Sequence, residues 1–468
     1  MERKKEIKFL ILIWMSIKMV FCLQMDFSGK PKESLCDIGC KCPSEGQSVM
    51  FLDCINKDIS KLPSSVQLNG SITSLSFRNN RIEHLDTNTF SKADSTEELD
   101  LSFNHILKID NFTFVPFKSL LILRISNNLL PDLEPGLFDG LSNLKTLEVG
   151  HNAIQRISPS SFRPTSKLQE LRLHHNPIFE LPEDLLQYLP HLEKLDLQET
   201  GLVRLPDDLL TFTPGLHWLS LSNNAFENVP EKALSKARRL ECLDLSGNDF
   251  IVIQKGAFRG LSSISVLYLN NLERLSIIEK DAFAGLVKLK HFSCSYNPKL
   301  SYLDAEAFGS LNSTVSSYKT LPREQLSLRQ NNLRTLQSPF ERESLSSLSY
   351  VDLSENPWKC DCHILWMKKL KAETEEAIVC DSPPHLRGRS LDTILASELK
   401  CEDRWAWVTF ILVISSMVAI GIFVLGASAI VCSRTRVGLY IRAKKQFSYA
   451  KVTPKTETVD LEWDPSCD

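Results

Sequence analysis

The 468-residue sequence lacks an excess of charge of either sign. Lys and Arg number 54, Asp and Glu 57, and the formal net charge is −3. With no broad basic field to hold a phosphate backbone, nucleic acid is not expected as a partner. The short patterns around which common active sites are built are also missing. There is no Gly-x-Ser-x-Gly elbow, phosphate loop or His-Glu-x-x-His. The chain is therefore read as a non-enzyme, with no cofactor and no metal. Charge is absent altogether from residues 405–432, a run of 28. That is enough to span a membrane's hydrocarbon, which needs about 20 residues.

What is present is a period. Asn80, Asn104, Asn128, Asn152 and Asn176 stand 24 residues apart, and Thr200, Asn224 and Asn248 continue the count. Apolar residues precede each by five and three positions, as Leu99 and Leu101 precede Asn104, and Ile82, Ile106, Ile154 and Ile178 follow by two. The short segment before each Asn alternates apolar and variable residues, which predicts a strand buried on one face. A second column, Phe90, Phe114, Phe138, Phe162, Leu186, Leu210, Leu234 and Phe258, falls ten residues after each marker and is expected to fill the space behind the sheet. The count then loosens. Leu272 replaces the ninth Asn and cannot supply its hydrogen bonds, Asn297 follows at 25, Asn331 at 34, and Asn356 closes the array. Twelve strands are predicted, with surplus chain near 312–323.

The pattern L-x-x-L-x-L-x-x-N-x-L resembles the leucine-rich repeat. The resemblance implies an α/β solenoid, a curved right-handed horseshoe with a parallel sheet on its concave side and a cap at each end. Four cysteines precede the repeats (Cys36, Cys40, Cys42, Cys54) and four follow (Cys360, Cys362, Cys380, Cys401). Such clusters in an exported chain read as disulfides, and each group alone allows three pairings. Asn356-Pro-Trp-Lys-Cys-Asp-Cys362 and Cys36-x3-Cys-x-Cys-x11-Cys54 are similar to the caps of extracellular leucine-rich-repeat proteins. That similarity implies Cys36–Cys42, Cys40–Cys54, Cys360–Cys380 and Cys362–Cys401. Cys294 falls in a buried column and is expected to be a free core thiol. Cys242, at a variable strand position, is left open as a reactive thiol.

The basic residues of 1–8 followed by an apolar stretch predict a secretory signal peptide, 1–22. The remaining division is an N-terminal cap 23–66, repeats 67–356, a C-terminal cap 357–404, a transmembrane helix 405–432 and a tail 433–468. Arg434, Arg436, Arg442, Lys444 and Lys445 place the tail in the cytoplasm, which implies a single-pass type I protein of the plasma membrane. The tail is too short for a kinase or a Toll-type signalling domain. Tyr449 and Val452 fit a Tyr-x-x-apolar sorting signal, and Cys432 is a candidate for palmitoylation. Gly421 and Gly426 lack the four-residue spacing of a helix-dimer motif. Sequons at Asn69, Asn111 and Asn312 lie outside the strand segments, so sugars there would leave the inner face bare.

Read as columns, the inner face divides. Four residues before each marker stand Ser76, Asp100, Arg124, Glu148, Arg172 and Asp196, a ladder of alternating sign that is expected to pair with itself. Beyond Asp196 the column reads Ser220, Asp244, Tyr268, Ser293, Ser327, Asp352. Trp218, Tyr268, His291, Tyr296 and Tyr350 supply rings in this half, and they are the predicted ligand contacts. His151, His174, His175 and Glu199 gather beside the ladder and are read as ordinary solvated side chains rather than metal ligands or a pH sensor. The chain is thus similar to cell-surface leucine-rich-repeat receptors of recognition and adhesion. A protein ligand is expected on the concave face, with signalling left to a membrane co-receptor. An innate-immune co-receptor and an auxiliary subunit of another membrane protein are the alternatives.

Overall fold

The computed structural model describes residues 35–36, 38–41, 50–63, 66–67, 72–309, 322–336, 348–370, 376–401 and 404–447. Two compact units are distinguished, 1–399 and 400–468. The first is a β-solenoid organised on one parallel sheet. Its strands are β1 (Met50–Asp53), β2 (Ile72–Ser76), β3 (Glu98–Asp100), β4 (Ile122–Arg124), β5 (Thr146–Glu148), β6 (Glu170–Arg172), β7 (Lys194–Asp196), β8 (Trp218–Ser220), β9 (Cys242–Asp244), β10 (Val266–Tyr268), β11 (His291–Ser293), β12 (Gln325–Ser327) and β13 (Tyr350–Asp352). Each pairs in parallel with its neighbours in chain order. The sheet therefore holds thirteen strands, not the twelve that the repeat predicts. The extra one, β1, comes from the N-terminal cysteine region and carries no marker Asn. It covers the open edge of β2, which would otherwise present unpaired backbone groups.

The repeat fixes the register. Leu75, Leu99, Leu123, Leu147, Leu171 and Leu195 stand opposite one another across β2–β7 and are fully buried. Burying each such side chain contributes about 1.5–3 kcal/mol. Behind them the second column forms a spine. Phe138 stacks on Phe162 with ring centres 6.1 Å apart, and Phe258 on Phe283 at 5.5 Å.

The marker Asn residues cross-link consecutive coils. Asn104 Nδ2 donates to Leu101 O of its own coil (3.0 Å) and to Phe77 O of the preceding one (2.9 Å). Its Oδ1 accepts from the Ile82 N–H at 3.1 Å. The same three bonds recur at Asn128, Asn152, Asn176, Asn224 and Asn248. Thr200 substitutes in part, since its Oγ1 donates to Leu197 O at 2.9 Å. The Ile178 N–H that an Asn there would take bonds the Thr200 carbonyl instead. Leu272 is buried and offers only its N–H, which donates to Asn297 Oδ1 at 2.7 Å.

Both ends carry disulfides. Cys40–Cys54 and Cys360–Cys380 are formed as the resemblance implies. Cys36, Cys362 and Cys401 are also disulfide-bonded. Cys42 lies outside the described residues. Trp358 is fully buried under the C-terminal end of the repeats, its Nε1 donating to Leu353 O at 2.8 Å. Arg329 latches this end. It reaches Asp352 (3.9 Å) and Glu355 on the last coil, and Glu376 of the C-terminal region at 3.1 Å. Arg329→Ala should leave the repeats folded but speed amide exchange around 376–391, and unchanged protection there would refute the latch.

In the second unit, a helix spans Arg404–Phe447 and runs past the charge-free stretch. Its segment Val408–Val437 has a mean hydropathy of 2.7 and is long and apolar enough to cross a membrane. Cys432 is a free, exposed thiol on it. Tyr449 and Val452 lie outside the described residues, as do Asn69, Asn312 and most of the surplus chain before Asn331.

Candidate functional site

The solvent face of the sheet is built from the strand residues that flank each buried Leu. From β3 to β7 these residues are charged apart from Ile122 and Thr146, and most of the charges are paired. Arg124 sits between Glu98, to which it is ion-paired, and Glu148 at 3.5 Å. Arg172 lies 3.7 Å from Glu148 and 2.6 Å from Glu170. Asp196 is 3.0 Å from His174 Nδ1. The ladder pairs internally, but part of its counter-charge comes from Glu98 and Glu170. These stand two residues earlier on their strands, and a reading of single columns misses them.

From β8 onward the character changes. Trp218, Cys242, Val266, His291, Gln325 and Tyr350 stand in register along one row. Ser220, Asp244, Tyr268, Ser293, Ser327 and Asp352 form the next. Adjacent strands lie about 4.8 Å apart. Trp218, Tyr268 and His291 therefore fall within one patch spanning β8 to β11. Tyr268 is 38% exposed and Trp218 and His291 half-buried. Tyr350 stands on the last strand, two strands beyond His291 in the same row, its hydroxyl turned to Asp352 Oδ2 at 3.5 Å. Tyr296 is on no strand. It is 44% exposed on the rim, one residue before Asn297. Around the rings many polar groups are neutral and mutually bonded: Ser220 with Ser222 (3.1 Å), Ser293 with Asn270 (2.7 Å) and Ser295 with Ser327 (2.8 Å), while the Glu324 carboxylate beside His291 (3.3 Å) is also paired with Lys290 at 2.9 Å. Burial raises the pKa of Asp244, so even this carboxylate is less acidic than usual. Cys242 is free, and burial together with Asp244 pushes its thiol up to about 11. That answers the question of its reactivity, because almost no thiolate exists at neutral pH. Cys294 is a free, fully buried thiol, as its column predicts.

One feature of the rim escaped the column reading. The residue before each marker adopts a left-handed backbone: φ is 57° at Asn79, 58° at Phe103, 57° at Asn127, 52° at His151, 53° at His175, 52° at Glu199 and 61° at Tyr296. The signal was available, since Asn79, Asn127, Asn223, Gly247 and Asn271 are the residue types that tolerate this conformation. Phe103, Glu199 and Tyr296 do not favour it, at a cost of about 1–2 kcal/mol each.

The histidines share that rim. His151 stacks on His175 with ring centres 4.0 Å apart, and His175 Nδ1 meets Glu199 Oε2 at 3.0 Å. Among the described residues, the grouping of donor atoms tight enough for a metal is Cys362, His363 and Cys401, and both cysteines are spent in disulfides. Partial burial, followed by the neighbouring His175 and His174, lowers the pKa of His151 below 6.5. The folded chain thus takes up this proton later than the unfolded chain, so stability is lost as pH falls through and below about 6.5. His151→Asn should shrink the loss of melting temperature between pH 7.5 and 5, and should not destabilise the protein at pH 7.5. Identical pH profiles would refute this.

The described repeats match the family model "Leucine rich repeat" over 70–130, 118–178, 190–250 and 238–298, and residues 377–402 match "Leucine rich repeat C-terminal domain". This chain is a leucine-rich-repeat protein. It is 37% identical to the platelet glycoprotein Ib beta chain of Mus musculus over 81 residues, 16% of this chain and 39% of that protein. It is 29% identical to SLIT and NTRK-like protein 5 of Homo sapiens over 87 residues, 18% of this chain and 9% of that one. With the peroxidasin homolog of Caenorhabditis briggsae it shares 39% identity over 77 residues, 15% and 6% of the two chains. The match spans less than half the length of each of these relatives. Among solved structures, the repeats superpose on Toll in the Drosophila Toll–Spatzle complex with a TM-score of 0.51 and 20% identity, covering 73% of this chain and 54% of that one. The TLR13–ssRNA13 complex gives 0.50 and 24%, covering 67% and 52%. These likenesses show the fold of this leucine-rich-repeat protein.

Proposed function

We propose that this protein is a cell-surface recognition receptor whose sheet face from β8 to β11 binds a protein ligand. The observation that carries the reading is the division of the sheet. Most charges of β3–β7 are spent on ion pairs, whereas β8–β11 offers Trp218, Tyr268 and His291 over a floor dominated by neutral hydroxyl and amide groups. Rings of this kind supply much contact area for little lost side-chain freedom. Tyr296 extends the patch at the rim, and Tyr350 serves it least, being the most distant. The segment Val408–Val437 is the anchor, the repeats are extracellular, and 1–22 is the export signal. No catalysis is assigned, and signalling falls to a partner in the same membrane.

The reading is tested by displaying the full chain on cells and mixing them with a panel of other cell types. Specific aggregation that survives replacement of residues 408–437 by an unrelated membrane helix is the expected result. Activity lost on that helix exchange, with the ectodomain intact at the surface, would point to an auxiliary subunit acting through its helix and would overturn the proposal.

A further inference from the structure

A cleft of about 580 Å³ opens on the flank of the repeats, away from the sheet face, between the segments that follow β3 and β4. Its lining is mixed. Leu107 is 55% exposed and Phe112 53%, a large apolar surface to leave to water, and Pro131 adds to it. Asp132 stands beside them, held by two bonds from Arg156 at 3.0 and 2.8 Å. Arg156 also lowers its pKa, so it is a fixed acceptor. Hydrocarbon beside an oriented acceptor suits a sugar ring, which has an apolar face and a hydroxyl edge. Asn111 of the sequon Asn111-Phe112-Thr113 lines the same cleft.

We propose that this cleft is the seat of the chain's own N-linked sugar at Asn111, whose first N-acetylglucosamine units cover Phe112 and Leu107. The surroundings fit a held attachment point. Thr87 Oγ1 donates to Asn111 O at 3.1 Å. Gly136 (φ 86°) faces the Asn111 side chain so closely that a Cβ there would stand 3.0 Å from Cγ. Phe112 is kept in the left-handed region at φ 65°, a conformation no aromatic residue favours. Thr113 is fully buried, its hydroxyl donating to Asp110 O at 2.7 Å. The sequon hydroxyl is thus hidden in the folded chain, so the sugar is added before this coil closes. Transfer joins Asn111 Nδ2 to the anomeric carbon of a lipid-pyrophosphate-linked oligosaccharide. The sugar–phosphate bond breaks, and the lipid pyrophosphate leaves with one amide proton.

The proposal rests on export of the repeats, and the experiment separates the two ideas. Full-length chain is purified from glycosylating cells in detergent and sugar occupancy is read by mass spectrometry. Asn111 is expected to be occupied. Asn111→Gln, or enzymatic removal of the sugar from folded wild type should the variant not fold, lowers the melting temperature by about 2 °C and raises binding of an apolar dye. Phe112→Ser lowers the melting temperature only while the sugar is present. A bare Asn111 on a chain that carries sugar at Asn69 or Asn312 would overturn the seat and leave export standing. An occupied Asn111 whose removal moves neither readout, or whose loss adds independently to that of Phe112→Ser, would also overturn it.

Discussion

Replacing Trp218 and Tyr268 together by alanine weakens binding of the partner recovered by cell mixing by about a hundredfold or more, with surface expression and melting temperature unchanged. The magnitude follows from the residue types. Central Trp and Tyr anchors typically contribute about 2 kcal/mol or more each on truncation, and 1.4 kcal/mol is tenfold in affinity. Neither ring is part of the core: Tyr268 is exposed, and Trp218 is half-buried at the start of β8. Arg124→Ala is the matched control on the other half. It breaks pairs with Glu98 and Glu148 yet should change affinity little. Equal losses from the two variants would show that the ligand reads the whole sheet. No loss from the double variant would remove the proposed site. Binding should also change little between low and moderate salt, because the patch brings almost no free charge to the contact.

The second large effect is on stability. Asn176→Ala should cost about 3 kcal/mol. Asn176 is 1% exposed, and its Nδ2 donates to Val149 O at 3.0 Å and Leu173 O at 2.8 Å while Oδ1 accepts from the Ile154 N–H at 3.1 Å. Alanine leaves all three buried backbone groups without this partner. Asn176→Thr should cost less than half as much, since Thr200 already shows that a hydroxyl in this place can serve its own coil's carbonyl at 2.9 Å. Denaturant titration of the two variants checks the order, and equal costs would mean that the amide's bond to the preceding coil is worth little.

How far the sequence alone reaches is seen at particular residues. Asn104 and its equivalents announced the sheet, its direction and its register, because one side chain repeated every 24 residues has one bonding solution repeated in each coil. Leu123 and Phe138 announced the core by the same regularity. β1 was not legible, because an edge strand in a cysteine-rich cap needs only backbone bonds and carries no marker. Glu98 was missed as a partner of Arg124 because long side chains meet diagonally, not along one column. Phe103 and Glu199 gave no warning of a left-handed backbone, since their side chains do not favour it and the fold imposes it on them. Trp218, Tyr268 and His291 were named from their column positions, and register gathers them. Tyr296 follows the same rule but falls on the rim of His291's coil, and Tyr350 lies two strands beyond His291 in the row of Trp218, because a column position gives the face of a residue and not its place along the stack.

The bonds of the Asn ladder also bear on what happens under load. Each marker amide ties its own coil to the one before, so a pull along the stack is carried by these ties in series with the sheet's backbone bonds. Two joints lack the tie, where Thr200 and Leu272 replace Asn. If a cell-bound partner held the repeats while the membrane held their C-terminal end, the stack would part first at one of those joints. The joint at Leu272 runs through the proposed contact patch, so traction there would open the surface that the partner grips and shorten the life of the bond.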